Sequence, residues 1–454
     1  MVKKNEIVEV YIEDVVFPNK GIGYVEDKKI IVNGGIRDQL LKVRITKKRR
    51  DRLEGTIVEV VKPSPIEIPP KCVHFGRCGG CTYQTIPYHI QLEEKAHQVK
   101  RILEGAGLKD FEFLGIQPSP LPYSYRNKME FTFGNETKDG PLTLGMHQRG
   151  NFYTVITTNG CQIVDEDFRL ILDHVLTYFR ERGTPHYHKK THEGILRHLV
   201  IRKATRTQEI LVNLVTTSQG ALNPEGLKQG LLSLPPAGRI MGILHTINDS
   251  LSDVVQSDAS HILYGQNFIT EEILGLTFRI SPFSFFQTNS LGAERLYSIV
   301  RDFAGHGDHG VIFDLYCGTG TIAQIMAPLA KKVIGIELVE EAVEAARENA
   351  LLNGLDNCQF IAGDVFEKVE ELEEEPDLII LDPPRAGIHP KAIHKIIDFN
   401  PPRFIYVSCK PTSLAKDLPV FVQRGYGITK VQCMDMFPHT PHVETVVLMS
   451  KKLR

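Results

Sequence analysis

The sequence predicts an α/β chain built in three parts. A small β-barrel of oligonucleotide-binding type comes first, a mixed α+β region follows, and a doubly wound parallel sheet ends the chain. Three observations carry this. Short alternating strands with glycine turns fill residues 3–62. Four prolines crowd into Lys62–Pro70 as a stiff linker. From about residue 290, apolar strands alternate with helical stretches. The three parts are expected at 1–62, 63–285 and 286–454.

In the first part Val8-Glu-Val-Tyr-Ile alternates, Gly21-Ile-Gly-Tyr turns, Lys29-Ile-Ile-Val is a short strand and Gly34-Gly35 turns again. Lys42–Arg52 carries seven basic residues in eleven. Such a run is either a solvated edge strand kept basic against edge pairing or a phosphate-contacting strand on an RNA-binding barrel. After the linker comes a cysteine-rich loop at 72–81, then a helix over 88–106 that ends at Gly105 and Gly107. The centre mixes strands (Lys128–Phe133, Ile210–Val215, Ile240–Ile247) with a helix over Asp167–Arg182. In the last part strands Val311–Leu315, Lys332–Ile336, Leu378–Leu381 and Arg403–Val407 alternate with helices such as Glu340–Leu352.

With 454 residues, 42% of them hydrophobic, the chain can bury more than one core. A net charge of −2 gives no whole-chain sign of nucleic-acid binding, so any such case rests on local clusters. The N-terminus lacks an apolar stretch behind its lysines, and no run approaches a membrane span. The expected compartment is the cytosol, where structural disulfides are rare. The eight cysteines then need another explanation.

The strongest local pattern is Gly310-Val-Ile-Phe-Asp-Leu-Tyr-Cys-Gly-Thr-Gly-Thr-Ile-Ala323. An apolar strand runs through a turn at Gly318 and Gly320 into a helix whose free N–H groups face a ligand. Glycine turns of this kind also serve dinucleotides. The next strand, Lys332–Glu337, ends in a carboxylate that can accept from both ribose hydroxyls. Asp364 follows the third strand, suited to an adenine amino group, and Leu381-Asp382-Pro-Pro-Arg385 follows the fourth. This set resembles the class I methyltransferases. Asp-Pro-Pro occurs there in enzymes acting on nucleobases or amide nitrogens.

Cys409 stands just past the fifth strand, at the same sheet edge. A cysteine there can be a small buried hydrophobe, or a nucleophile. A thiol is wanted because C5 of uracil attacks a sulfonium methyl poorly. Adding a thiolate to C6 develops negative charge at C5 and divides one hard step into easier ones. That use predicts a lowered thiol pKa. A base must then remove the C5 proton, and Pro438-His-Thr-Pro-His-Val-Glu444 offers Glu444, with His439, His442 and Asp435 as alternatives.

Cys72, Cys78 and Cys81 pack three thiols into ten residues, and Cys161 is the candidate fourth. Tetrahedral zinc usually takes two Cys-x2-Cys knuckles. Three close thiolates plus one distal suit an iron–sulfur cube. Radical enzymes that bind S-adenosylmethionine on a cluster usually space their cysteines differently.

Together these motifs resemble the RNA uracil-C5 methyltransferases of the bacterial 23S ribosomal type, relatives of the transfer-RNA uracil-54 enzyme. The resemblance also takes in a TRAM-like barrel, Phe286-Gln-Thr-Asn289, Ser408-Cys-Lys-Pro411 and His442-Val-Glu444. It implies Cys409 as nucleophile and Glu444 as base. It implies Gln287, Tyr316, Glu337, Asp364 and Asp382 around the cofactor or reaction pocket, beside Gly318, Gly320 and Thr321 of the turn. It further implies a [4Fe-4S] cluster on Cys72, Cys78, Cys81 and Cys161, and a helix near 88–106 that packs with the catalytic domain. Lys410 departs from the pattern, where asparagine is commoner. The expected cofactors are S-adenosylmethionine and the cluster; the expected partner is a single-stranded or loop uridine in ribosomal or transfer RNA, bound by a monomer. Rival readings are cytosine-C5 methylation, which calls for a Pro-Cys motif the chain lacks, and a non-catalytic RNA-binding protein.

Overall fold

The computed structural model describes residues 2–252, 258–305 and 307–452. Six strands form the first unit: β1 (Ile7–Tyr11), β2 (Asp14–Val16), β3 (Lys20–Val25), β4 (Lys28–Asn33), β5 (Leu40–Lys48) and β6 (Arg52–Lys62). Their ladder runs β1-β5-β6-β4-β3-β2. It curls so that β1 crosses β3 at Gly23, where a Cβ would stand 2.3 Å from the Tyr11 carbonyl oxygen. Val10, Ile12, Ile30, Val32, Leu41, Val43, Ile45 and Leu53 fill the inside, the period-2 consequence of the alternation read in the sequence. The six strands form an open, curled sheet, not a closed barrel, and its basic hairpin is partly neutralised within the unit. Lys47, Arg49 and Arg52 all reach Glu54, and Lys42 pairs with Glu59.

Helix α1 (Tyr88–Gly105) and strand β7 (Glu112–Gln117) follow. The central sheet comprises β8 (Lys128–Asn135), β9 (Leu142–Gln148), β10 (Asn151–Thr157), β11 (Leu196–Lys203), β12 (Glu209–Thr216), β13 (Arg239–Ile247) and β14 (Ala259–Gly265), in the order β10-β9-β8-β11-β12-β13-β14. Helices α2 (Glu166–Glu181) and α3 (Pro224–Leu232) cover it. Helix α2 starts where the Asp165 carboxylate accepts from the Asp167 N–H. Its apolar residues Phe168, Ile171, Leu172, Val175 and Phe179 recur at helical spacing and face the sheet. A hairpin, β15 (Ile269–Ile273) and β16 (Leu276–Ile280), leads into the last unit.

That unit holds α4 (Ser290–Ala304), β17 (His309–Leu315), α5 (Thr321–Met326), β18 (Ala330–Glu337), α6 (Glu340–Leu352), β19 (Cys358–Ala362), α7 (Val365–Lys368), β20 (Leu378–Leu381), α8 (Pro390–Asp398), β21 (Arg403–Ser408), α9 (Pro411–Gln423), β22 (Tyr426–Met434) and β23 (Glu444–Lys451). The sheet order is β19-β18-β17-β20-β21-β23-β22-β7. The first five strands pair in parallel, and β23 runs antiparallel between β21 and β22. Successive residues of each strand go to opposite faces. Ile312, Val333, Ile380 and Ile405 join one core with α4, α5 and α6; Phe313, Ile334, Ile379 and Phe404 join the other with α1, α8 and α9.

Helix α1 and β7 precede the expected boundary at 286 but pack into this unit: Val99 and Leu103 lie in its core, and β7 pairs with β22. The buried ammonium of Lys95 on α1 sits 2.6 Å from Asp435 just past β22. Removing one partner of such a buried pair costs about 3–5 kcal/mol, so α1 is bolted to the strand end that leads to Glu444.

Candidate active site

Strands β17 to β21 deliver their C-terminal ends to one edge, where ligands sit in open α/β sheets. At the end of β17 the chain enters left-handed backbone at Tyr316, Gly318 and Gly320 before α5 starts at Thr321. A Cβ on Gly320 would stand 2.5 Å from the Phe360 ring, so glycine is required for loop and helix to close on the sheet. Buried Asp314 ties strand to helix by accepting from the Ala323 N–H at 2.8 Å. Burial, and next the charge of Asp382, push its carboxyl up to about 8.

Glu337, at the end of β18, accepts from the Gly318 N–H at 3.0 Å and the Val339 N–H at 3.1 Å. Its carboxylate thus braces the glycine turn while still bordering the cavity. Asp364 caps α7 by accepting from the Phe366 N–H, and it too reaches the cavity wall. Asp382, past β20, is partly buried, and burial pushes its carboxyl up to about 7.

Cys409 and Glu444 face the same cavity as Gln287, Tyr316, Gly318, Thr321, Glu337, Asp364 and Asp382, a space of about 1880 Å³. Glu444 opens β23 but is only 4% exposed. Burial, then the charge of Asp382, push its carboxyl up to about 8 against the pull of Arg385. The expected lowering of the Cys409 thiol is not met. Burial, and next the charges of Glu444 and Asp382, push it up to about 11, with Arg385 pulling the other way. Two carboxylates beside a half-buried sulfur outweigh one partly solvated guanidinium.

The alternative bases are placed differently. Asp435 is held by Lys95. The His439 ring stacks on Tyr123 at 4.3 Å, and its Nδ1 lies 3.1 Å from Gln91 Nε2. His442 borders the cavity, and burial, then Arg385, lower its imidazole to about 4. Lys410 is exposed, and its main chain alone is tied to Ser408. Two residues escaped the sequence reading. Tyr297 on α4, 5% exposed, borders the cavity with Gln287. Arg385 was read only as part of a motif, yet its charge acts on Cys409, Glu444 and His442 together. Neither carries a local signal beyond its residue type.

Cys72, Cys78, Cys81 and Cys161 border the far end of the same cavity. The Gly80 N–H donates to Cys78 Sγ at 3.4 Å, and the Cys72 thiol donates to the Gly160 carbonyl at 3.8 Å. Burial, the largest cause, pushes Cys81 up to about 11 and Cys161 up to about 12; the other cysteines of the set add to it. Among the described residues no three His, Cys, Asp or Glu side chains close on one point as a single ion requires. All four thiols border one shared space, and cysteine sulfur is the donor type that an iron–sulfur cluster takes, one thiolate per corner.

The sheet order and the ligand edge define a methyltransferase fold, and comparison with known proteins gives the family. The profile described as tRNA (Uracil-5-)-methyltransferase matches residues 241–452, and that of the TRAM domain residues 2–58. An uncharacterized RNA methyltransferase of Clostridium tetani (strain Massachusetts / E88) is 55% identical over 99% of each chain. Another, from Caldanaerobacter subterraneus subsp. tengcongensis, is 54% identical over 99% of each. The crystal structure of Pyrococcus abyssi tRNA (uracil-54, C5)-methyltransferase with S-adenosyl-L-homocysteine is 28% identical, with a TM-score of 0.77 over 97% of this chain and 100% of that one. The chain therefore belongs to the tRNA (uracil-5-)-methyltransferase family of S-adenosylmethionine-dependent RNA methyltransferases, with an N-terminal TRAM domain. No helix of the described residues is long and apolar enough to cross a membrane.

Proposed function

We propose that this enzyme methylates C5 of a uridine in 23S ribosomal RNA through a covalent adduct between Cys409 and C6. The observation that carries this is the meeting of Cys409 and Glu444 in one cavity with Glu337, Asp364 and Asp382, close enough for the Glu444 charge to act on the thiol. Bound S-adenosylmethionine supplies an electrophilic methyl group. Glu337 is suited to hold ribose hydroxyls and Asp364 an adenine amino group, while Gly318 and Thr321 border the cavity and Gly320, whose N–H goes to the Cys317 carbonyl, shapes the turn behind them. Arg385 is the group of this chain that favours the Cys409 thiolate. Glu444, buried and proton-hungry, removes the C5 proton, after which the sulfur leaves C6. Gln287 and Tyr297 border the cavity where the target base would enter. The four cysteines at the far end would hold a [4Fe-4S] cluster, whose role here is a cross-link between the 72–81 loop and Cys161.

The same chemistry on transfer-RNA uridine 54 is the second reading, favoured by the likeness to the Pyrococcus abyssi enzyme. Mapping 5-methyluridine in ribosomal and transfer RNA of a deletion strain, with and without the restored gene, separates them. Loss confined to 23S RNA supports the first reading, loss confined to transfer RNA the second, and no loss in either overturns both.

A further inference from the structure

Strands β9 and β10 meet at Arg149-Gly150, beside the cysteine loop, where Cys78 bridges to Gln148. Around this turn aromatic rings stand in solvent: Phe152 is 54% exposed and Tyr153 58%. Each carries a cation. The Lys189 ammonium lies 4.0 Å from the Phe152 ring centroid and that of Lys190 4.5 Å from Tyr153. His147 stacks on Phe152 at 4.8 Å with the planes 25° apart. The Arg149 guanidinium sits 5.6 Å from the Phe75 ring, and Phe75 borders the cavity. The patch is therefore continuous with the cavity mouth.

This face is held in place by the cysteine loop. The Gly79 N–H donates to the His147 carbonyl at 3.0 Å, and the Arg149 N–H to the Arg77 carbonyl at 2.7 Å. The Arg149 guanidinium donates to the Cys81 carbonyl at 2.5 Å. Glu136 is paired with Arg77 at 2.8 Å, and the Lys189 ammonium also lies 3.2 Å from His147 Nε2. The patch thus gathers Arg77, Arg149, Lys189 and Lys190 on a chain whose net charge is −2.

We propose that this aromatic and cationic face docks a single-stranded segment of the RNA substrate beside the uridine that enters the cavity. The inference rests on the proposed methylation of RNA and says where that RNA lies. Rings next to ammonium groups match the alternation of bases and phosphates along an unpaired strand. A base stacks on the ring while the lysine takes the neighbouring phosphate. A duplex keeps its bases inside and would meet only the cations.

The test uses the full-length protein and a fluorescein-labelled twelve-nucleotide oligouridylate, read by fluorescence anisotropy, with a duplex of equal length as comparison. Phe152→Ala/Tyr153→Ala is expected to weaken single-strand binding roughly tenfold or more, with the salt slope kept. Lys189→Gln/Lys190→Gln is expected to weaken it most at low salt and to flatten the slope by about 1.4, that is about 0.7 for each of the two phosphates that the lysines neutralise. Both variants should bind S-adenosylhomocysteine as the wild type does, which controls for folding. Wild-type affinity in both variants overturns the docking face, as does a wild type that holds duplex as tightly as single strand. A separate assay with labelled cofactor tests the underlying reading: if the wild type transfers no methyl group to RNA, the methylation reading falls, whatever the binding data show.

Discussion

One cavity has thiols at both ends, and the two ends treat sulfur differently. At one end Cys72, Cys78, Cys81 and Cys161 lie near one another, with the Gly80 N–H on Cys78 and the Gly160 carbonyl beside Cys72. At the other, Cys409 faces two carboxylates and a guanidinium. Burial raises the thiol pKa in both places, so burial alone does not assign a role. The neighbours do. Clustered thiols that raise one another's pKa would give up their protons only when a cationic group binds them, whereas the Cys409 thiol, beside Glu444 and Arg385, can pass its proton to solvent or to a nearby base and add to a ring.

The largest expected effect is at Cys409. Cys409→Ala should abolish both turnover and any covalent RNA–protein complex, seen as a missing slow band on a denaturing gel. Recovery of 5-methyluridine from that variant would remove Cys409 from the mechanism. Glu444→Gln should separate the steps: the amide keeps the shape but accepts no proton, so release slows by about 10²–10⁴. A radioactive adduct should then accumulate with labelled cofactor. If Glu444→Gln turns over normally, His442 becomes the base to examine, since it borders the cavity.

The carboxylates at this end set the pH dependence. Glu444, pushed up to about 8, gains its base form as pH rises, and Cys409, at about 11, gains thiolate in the same direction. kcat/KM should therefore rise from pH 6 to 9, and Arg385→Gln should move that rise to higher pH. Stability runs the other way. A carboxyl raised from an unfolded value near ~4.3 to about 8 stabilises the fold fully only below the unfolded value and loses that contribution as pH climbs to the folded one. The Tm of the ligand-free wild type should thus fall between pH 5 and 8.5 more than that of Glu444→Gln. Equal falls would mean that Glu444 ionises without cost.

At the clustered end the expected effect on chemistry is smaller. Wild type purified anaerobically should be brown with about four irons per chain. Cys78→Ser should lose the colour and weaken RNA binding, because the loop supports the β9–β10 turn, while S-adenosylhomocysteine binding persists. A colourless wild type holding one zinc would erase the contrast between the two ends. Deleting residues 1–62 should cost least in salt-dependent RNA affinity, since Glu54 and Glu59 already answer four cations of the basic hairpin.

Much of this architecture was legible locally. Strand and helix periods placed β17, β18, β20, β21 and α6 within a residue or two of their observed bounds, because an alternating or helical apolar pattern is written in neighbouring residues. The glycine turn and the Cys72–Cys81 loop were legible for the same reason. Gln287 was reached only through resemblance, and a glutamate opening an apolar strand looked no different from a solvated one.

The sequence by itself determined the period of each element, the turn at Gly318 and Gly320, and which residue types stand at the ends of the strands. It could not determine their company. Lys95 meets Asp435 across 340 positions, β7 joins the sheet beside β22, and Arg385 acts on Cys409, Glu444 and His442 at once. Burial and charge proximity belong to the assembled chain, because they depend on contacts between segments that share no local signal. The tertiary structure alone decided that the Cys409 thiol is raised, not lowered, and that Glu444 is buried on the cavity wall.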